Sequence, residues 1–121
     1  MENMQVDLLK LQNKESVQAA LADVGCDPAG TAIMREKALF YTLHVAYVQT
    51  KAANILKQTF LGKGGDAAVS RHTADLSEAY TDVLIFATLR QYRAAIKQMK
   101  VQPWGLQKIA ENIEELLQKM K

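Results

Sequence analysis

The sequence predicts an α/β fold of the α+β kind: a single mixed β-sheet of about four strands packed with helices, in the order β-α-α-β-α-β-β-α-α. Three observations carry this expectation. Leu39 to Val48 (LFYTLHVAYV) and Val83 to Ala87 (VLIFA) are short, nearly unbroken apolar runs, the pattern of buried strands. Around them apolar residues recur at helical spacing, most regularly from Leu106 to Met120. Strands that alternate with helices argue for a sheet with helices laid on it.

Met4 to Leu11 (MQVDLLKL) puts Met4, Val6 and Leu8 on one face at period two, which predicts a first strand. A helix follows, with Val17, Ala20, Leu21 and Val24 on one face, a candidate cap at Asn13 and a stop at Gly25. Asp27-Pro28 has the grammar of a second helix start, because Asp accepts from free amides and Pro at the first position loses no hydrogen bond. Leu39 to Val48 then reads as a strand covered on both faces and central in the sheet.

Thr50 can cap a third helix carrying Ala52, Ile55, Leu56 and Phe60, which the Gly62-Lys63-Gly64-Gly65 cluster ends. Asp66 to Asp75 alternates weakly and is expected as a strand near an edge, and Val83 to Ala87 as a buried one. Thr88 is placed to cap a helix with Leu89, Tyr92, Ile96 and Met99 on one face. Pro103 breaks that pattern, and the last helix begins at Leu106.

Composition sets bounds on function. The 121 residues are the size of one domain, 1–121, and 49% hydrophobic against 23% charged is a globular balance. A net charge of +2 gives no broad field for nucleic acid, and Phe, Tyr and Trp do not interleave with the basic carboxy-terminal helix in a stacking pattern, so no nucleic-acid partner is expected. Arg90 to Lys121, with seven basic and three acidic residues, carries a net +4, and the first 89 residues a net −2. The single cysteine, Cys26, excludes an internal disulfide and a CxxC motif and fits a reducing compartment. With no signal peptide and no long apolar run, a cytoplasmic protein without a membrane partner is expected.

Three stretches carry a resemblance: VGCDPAGTAIMREKA (24–38), KAANILKQTFLGKGGDAAVSRH (51–72) and TDVLIFATLRQYRAAIKQMKVQPWGLQKIAENIEEL (81–116). In their order and spacing they resemble the amino-terminal extension that precedes the catalytic barrel in dihydropteroate synthases of some anaerobic bacteria. The resemblance implies a domain associated with folate and pterin biosynthesis, with a dihydropteroate synthase-type barrel or a second copy of itself as partner. No NVTPDSFSDGG-like opening of the barrel is present, so no catalytic residue of that family carries over.

The residues themselves offer few constellations. Gly62-Lys63-Gly64-Gly65 lacks the GxxxxGK[ST] order of a phosphate loop and follows a helix, so a helix-ending turn is the plainer reading. If a pterin or phosphorylated metabolite binds, Gly64, Gly65, Arg71 and His72 are the candidate contacts. Arg90, Arg93, Lys97 and Lys100 form a basic stripe along one helix, a solvated face or an interaction surface. His44, in an apolar strand, and His72 have no partner at metal-ligand spacing, and neither a metal nor a cofactor is expected. Trp104 reads as a packing residue at a helix junction; exposed, it would mark an interface.

Three functions follow in order: a non-catalytic accessory or interaction domain, a small-ligand module, and, last, an enzyme. No nucleophile–base pair or carboxylate pair is visible in the sequence. A cleft joining His44 or His72 to a carboxylate would reopen the enzyme reading.

Overall fold

The computed structural model describes residues 4–120; Lys121, counted above in the basic stretch, lies outside them. Five helices and three strands follow in the order α1 (Lys14–Val24), α2 (Pro28–Ala38), β1 (Phe40–Gln49), α3 (Thr50–Gly62), β2 (Asp66–Val69), β3 (Tyr80–Thr88), α4 (Leu89–Met99) and α5 (Leu106–Lys119). The α/β class predicted from the sequence is the class observed.

Local chemistry sets the helix ends. Asn13 accepts from the Ser16 amide at 2.7 Å to start α1, and Gly25 closes it at φ 85°, where a side chain would be strained. Asp27 caps α2 with Pro28 at its first turn. Thr88 and Gln91 form a reciprocal capping box that starts α4 directly from the end of β3. Thr50 is the first residue of α3 rather than its cap, which is Gln49.

The three strands form one antiparallel sheet in the order β1-β3-β2. On β3, Thr81, Val83, Ile85 and Ala87 turn inward and are buried. Onto them pack Leu56 and Phe60 of α3, Tyr92, Ile96 and Met99 of α4, and Leu106, Ala110 and Ile113 of α5. The Tyr92 ring meets Phe60 edge-on at 5.4 Å, and its hydroxyl donates to the backbone oxygens of Tyr41 (2.8 Å) and Ile85 (3.2 Å), tying β1 to β3 from below. A smaller cluster of Val17, Leu39 and Leu89, with Leu11 and Leu21 against it, pins α1 beside the start of β1.

Several expectations are corrected. Met4 to Leu11 is not a strand: it has no ladder partner, and Met4, Val6 and Leu8 stand 85–98% exposed. Among the described residues the sheet therefore has three strands, all antiparallel rather than mixed. The central strand is β3, and β1 lies at an edge with one face open: Phe40, Thr42, His44 and Ala46 are exposed. An unbroken apolar run does not reveal that one of its faces is left to water. The strand expected over Asp66 to Asp75 stops at Val69, because the Thr81 hydroxyl takes the Ser70 amide and a turn follows, with Thr73 N–H on the Ser70 carbonyl. It does lie at an edge, as expected.

Candidate functional site

The expected ligand contacts do not converge. Gly64 (φ 93°) and Gly65 donate their amides to the Leu61 and Phe60 carbonyls, closing α3, so those N–H groups are already engaged. Gly65 also lets the chain pass close to β3, since an added Cβ would meet the Phe86 oxygen at 2.7 Å. Arg71 and His72 follow the far end of β2, a strand that separates them from the glycines by roughly 13 Å. The Arg71 Nε donates to His72 Nε2 at 3.2 Å.

The basic stripe is partly assembled. Arg93, Lys97 and Lys100 line a groove of about 470 Å³ between α4 and α5, joined by Lys14 and Glu114, while Arg90 is not among its lining residues. Two of the cations are paired, Arg93 with Glu36 and Lys100 with Glu114, each at 2.9 Å. Exposed pairs of this kind contribute little to stability, about 0–1 kcal/mol. Cys26 is half-buried, and no group of three or more His, Cys, Asp or Glu among the described residues is placed to hold a metal.

A different cluster forms where β1 and β3 fall out of register. Val45 pairs with Val83 but Val48 with Thr81, so one residue is extra and Ala46-Tyr47 bulge outward. Tyr47 sits there at φ 58°, a left-handed conformation that costs an aromatic residue about 1–2 kcal/mol. Asp82, across the sheet on β3, holds the bulge with one carboxylate oxygen on the Tyr47 amide (3.1 Å). Its other oxygen lies 3.0 Å from His44 Nε2. These contacts, the Tyr47 amide first and His44 second, hold the Asp82 carboxyl below its ordinary value of 3.8. The Tyr47 and Tyr80 rings stack at 4.1 Å and 7°.

Next to Tyr80 the surface hollows, to about 480 Å³, between the start of α3, Leu76 and Trp104. Leu76 and Trp104 are also at φ 58° and line this hollow with Tyr80, on which the third left-handed residue other than glycine among the described residues, Tyr47, stacks. Strain of this kind, of order 1–3 kcal/mol per residue, gathers where a site is shaped for binding or chemistry. Trp104 is half exposed, contrary to its expected packing role, with the Lys51 ammonium 5.5 Å from its ring centre.

The cluster therefore joins an imidazole, its carboxylate and the stacked rings of Tyr47 and Tyr80, with Trp104 across the hollow that Tyr80 borders. Of these, only His44 and Trp104 could be weighed from sequence. Asp82 and Tyr47 are 35 residues apart and meet through the strand register, for which the local sequence carries no signal.

No family model and no solved structure matches the chain. It is 25% identical over 107 residues, 88% of its length, to a bifunctional dihydropteroate synthase/dihydropteroate reductase of Helicobacter pylori, of which those residues are 28%. It is 30% identical over 103 residues, 85% of its length, to a probable bifunctional folylpolyglutamate synthase/dihydropteroate synthase of Halobacterium salinarum, of which they are 12%. The chain spans about a quarter and an eighth of these relatives, and most of its own length is similar to a minor part of two proteins named for dihydropteroate synthase.

Proposed function

We propose that the chain is a dihydropterin-reducing domain, the counterpart of the reductase half of the Helicobacter relative. Size supports this. A (β/α)₈ barrel takes about 250 residues, and a protein of which 107 residues are 28% is about 380 long, leaving room for a second unit of this chain's size. A three-stranded antiparallel sheet with five helices is not barrel architecture. The observation that carries the proposal is the His44–Asp82 pair beside the Tyr47–Tyr80 stack, the histidine–carboxylate union that the sequence alone did not disclose.

Reduction of a dihydropterin C=N bond adds a hydride at carbon and a proton at nitrogen. The hydride comes from a donor of the nicotinamide or flavin class, which is oxidised by two electrons. The half-exposed Trp104 and the exposed Tyr47 offer flat surfaces that suit such planar rings. Tyr47 stacks the pterin, and His44, oriented by Asp82, gives the proton to the ring nitrogen. One carboxylate holds both the imidazole and the backbone amide of Tyr47, so the acid and the bulge that carries the stacking ring share one anchor.

The test is turnover of dihydropteroate by the purified chain with reduced nicotinamides, with and without added flavin, read as nicotinamide oxidation and as tetrahydropteroate formed. The His44→Gln variant should keep its circular dichroism and lose on the order of 100-fold in rate. No turnover with any donor rejects the proposal. A saturable thermal shift with dihydropteroate but no turnover would leave a ligand-binding module. The second reading, a non-catalytic accessory domain docking to a barrel, is supported by the open sheet face, where Phe40 and Leu84 are 58% and 40% exposed.

A further inference from the structure

β1 is an edge strand with few of the devices that guard an edge. Phe40 to Gln49 contains no proline and no Lys, Arg, Asp or Glu, and only the bulge at Ala46-Tyr47 interrupts it. Alternate residues of its outer edge have no backbone partner in the sheet. Alongside runs an apolar groove of about 270 Å³, bordered by Leu43 and Val45 of β1 and by Ile109, Ile113 and Leu116 of α5.

The same chain carries an unused strand sequence. Met4 to Leu11 alternates with Met4, Val6 and Leu8 on one side, all in water, and its root, Leu11, is packed against the Val17, Leu39 and Leu89 cluster beside the start of β1. Its eight residues cover the six of β1, Phe40 to Val45, that precede the bulge. Laid antiparallel on such an edge so that Leu8 meets Leu43 and Val6 meets Val45, the segment turns its apolar side into the groove. In that register Asp7 falls opposite His44, a carboxylate facing an imidazole.

We propose that the β1 edge and the α5 groove receive the Met4–Leu11 segment of a second copy of this chain. A molecule that holds both an unpaired strand and an unpaired edge fills each once in a two-fold dimer with exchanged segments, and the assembly closes. The apolar side chains of the segment are left uncovered by its own domain, which suits an occupant that crosses to a neighbour.

Sedimentation equilibrium of the full chain tests this, and a dimer is expected. The double substitution Val6→Lys with Leu8→Lys alters side chains that are 98% and 85% exposed, so it should give a monomer with unchanged circular dichroism. In a Cys26→Ser background, a chain with Leu9→Cys mixed with a chain with Thr42→Cys should form a disulfide-linked pair. A monomeric wild type, a dimer that survives both lysines, or absence of the mixed disulfide overturns the proposal. So does a disulfide formed within one monomer that carries both cysteines, because the segment would then pair with its own edge.

Discussion

Replacing Tyr47 with glycine separates what the bulge needs for folding from what the site needs for binding. Glycine removes the left-handed strain, a gain of about 1–2 kcal/mol. Against this, the stack on Tyr80 is worth ~0.5–1.5 kcal/mol, and the freer unfolded glycine costs ~0.5–1 kcal/mol. Tyr47 is 72% exposed, so little buried area is lost, and the backbone amide that Asp82 accepts remains. The opposing effects nearly cancel, and urea unfolding should place Tyr47→Gly within about 1 kcal/mol of the parent. A ligand ring stacked on an aromatic side chain gains ~1–3 kcal/mol, so affinity for dihydropteroate should fall about fivefold to a hundredfold. Tyr47→Phe keeps both the ring and the strain and should match the parent in both assays. A stability loss above about 3 kcal/mol in Tyr47→Gly would make the ring part of the scaffold, and unchanged affinity would remove it from the site.

Other substitutions probe the frame around the site. Gly65→Ala drives a methyl to 2.7 Å from the Phe86 oxygen and 3.2 Å from Ala87, and should destabilise by about 1–3 kcal/mol in urea unfolding. At Gly62, where an added Cβ meets nothing within 4 Å, alanine should instead stabilise by about 0.4–1 kcal/mol. Tyr92→Phe leaves the Tyr41 and Ile85 oxygens without their shared donor and should cost ~1–2 kcal/mol. The hydroxyl itself stays protonated across any practical pH, because burial pushes it well above its ordinary value of 10.0. Asp66, Asp75 and Asp82 all have lowered carboxyl values, Asp66 through Lys57 and Asp75 through Ser77. Their contribution is complete above the ordinary 3.8 and is lost as pH falls through the lower folded values, so stability should drop below about pH 4 and stay flat in this respect above it. Urea midpoints measured across that range, with Asp82→Asn flattening part of the fall, check it.

Helix starts were legible because their chemistry is local: Asn13, Asp27 and Thr88 each bond an amide two or three residues away. The strand at Val83 to Ala87 was legible because its inward residues are small or branched and its run is short. What escaped needed partners distant in sequence. The bulge depends on an offset between β1 and β3, and the contacts of Asp82 cross 35 and 38 residues. The edge position of β1 escaped for another reason: Phe40 and Ala46 are as apolar as core residues yet face solvent. Met4 to Leu11 has the period of a strand, but a period supplies no ladder.

The uncovered apolar groups divide by what surrounds them. Tyr47, Leu76 and Trp104 are held at a positive φ, and near them lie a carboxylate, a histidine and a lysine, so their exposure comes with backbone strain and with polar groups set at fixed distances. Protein docking alone would not require that combination. Met4, Val6 and Leu8, and Leu116 in the groove beside the β1 edge, are exposed without left-handed strain, and the unpaired groups of that edge are backbone amides and carbonyls. A planar ligand gains nothing from a row of alternating aliphatic side chains, whereas a strand gains a ladder and a covered face. The two kinds of surface meet at His44, which touches Asp82 on one side and lines the β1–α5 groove on the other. A strand laid along that groove would bring its own residues up to the imidazole, so assembly should alter the rate of turnover as well as the mass, a coupling that the Val6→Lys, Leu8→Lys variant exposes when its rate is compared with the parent's.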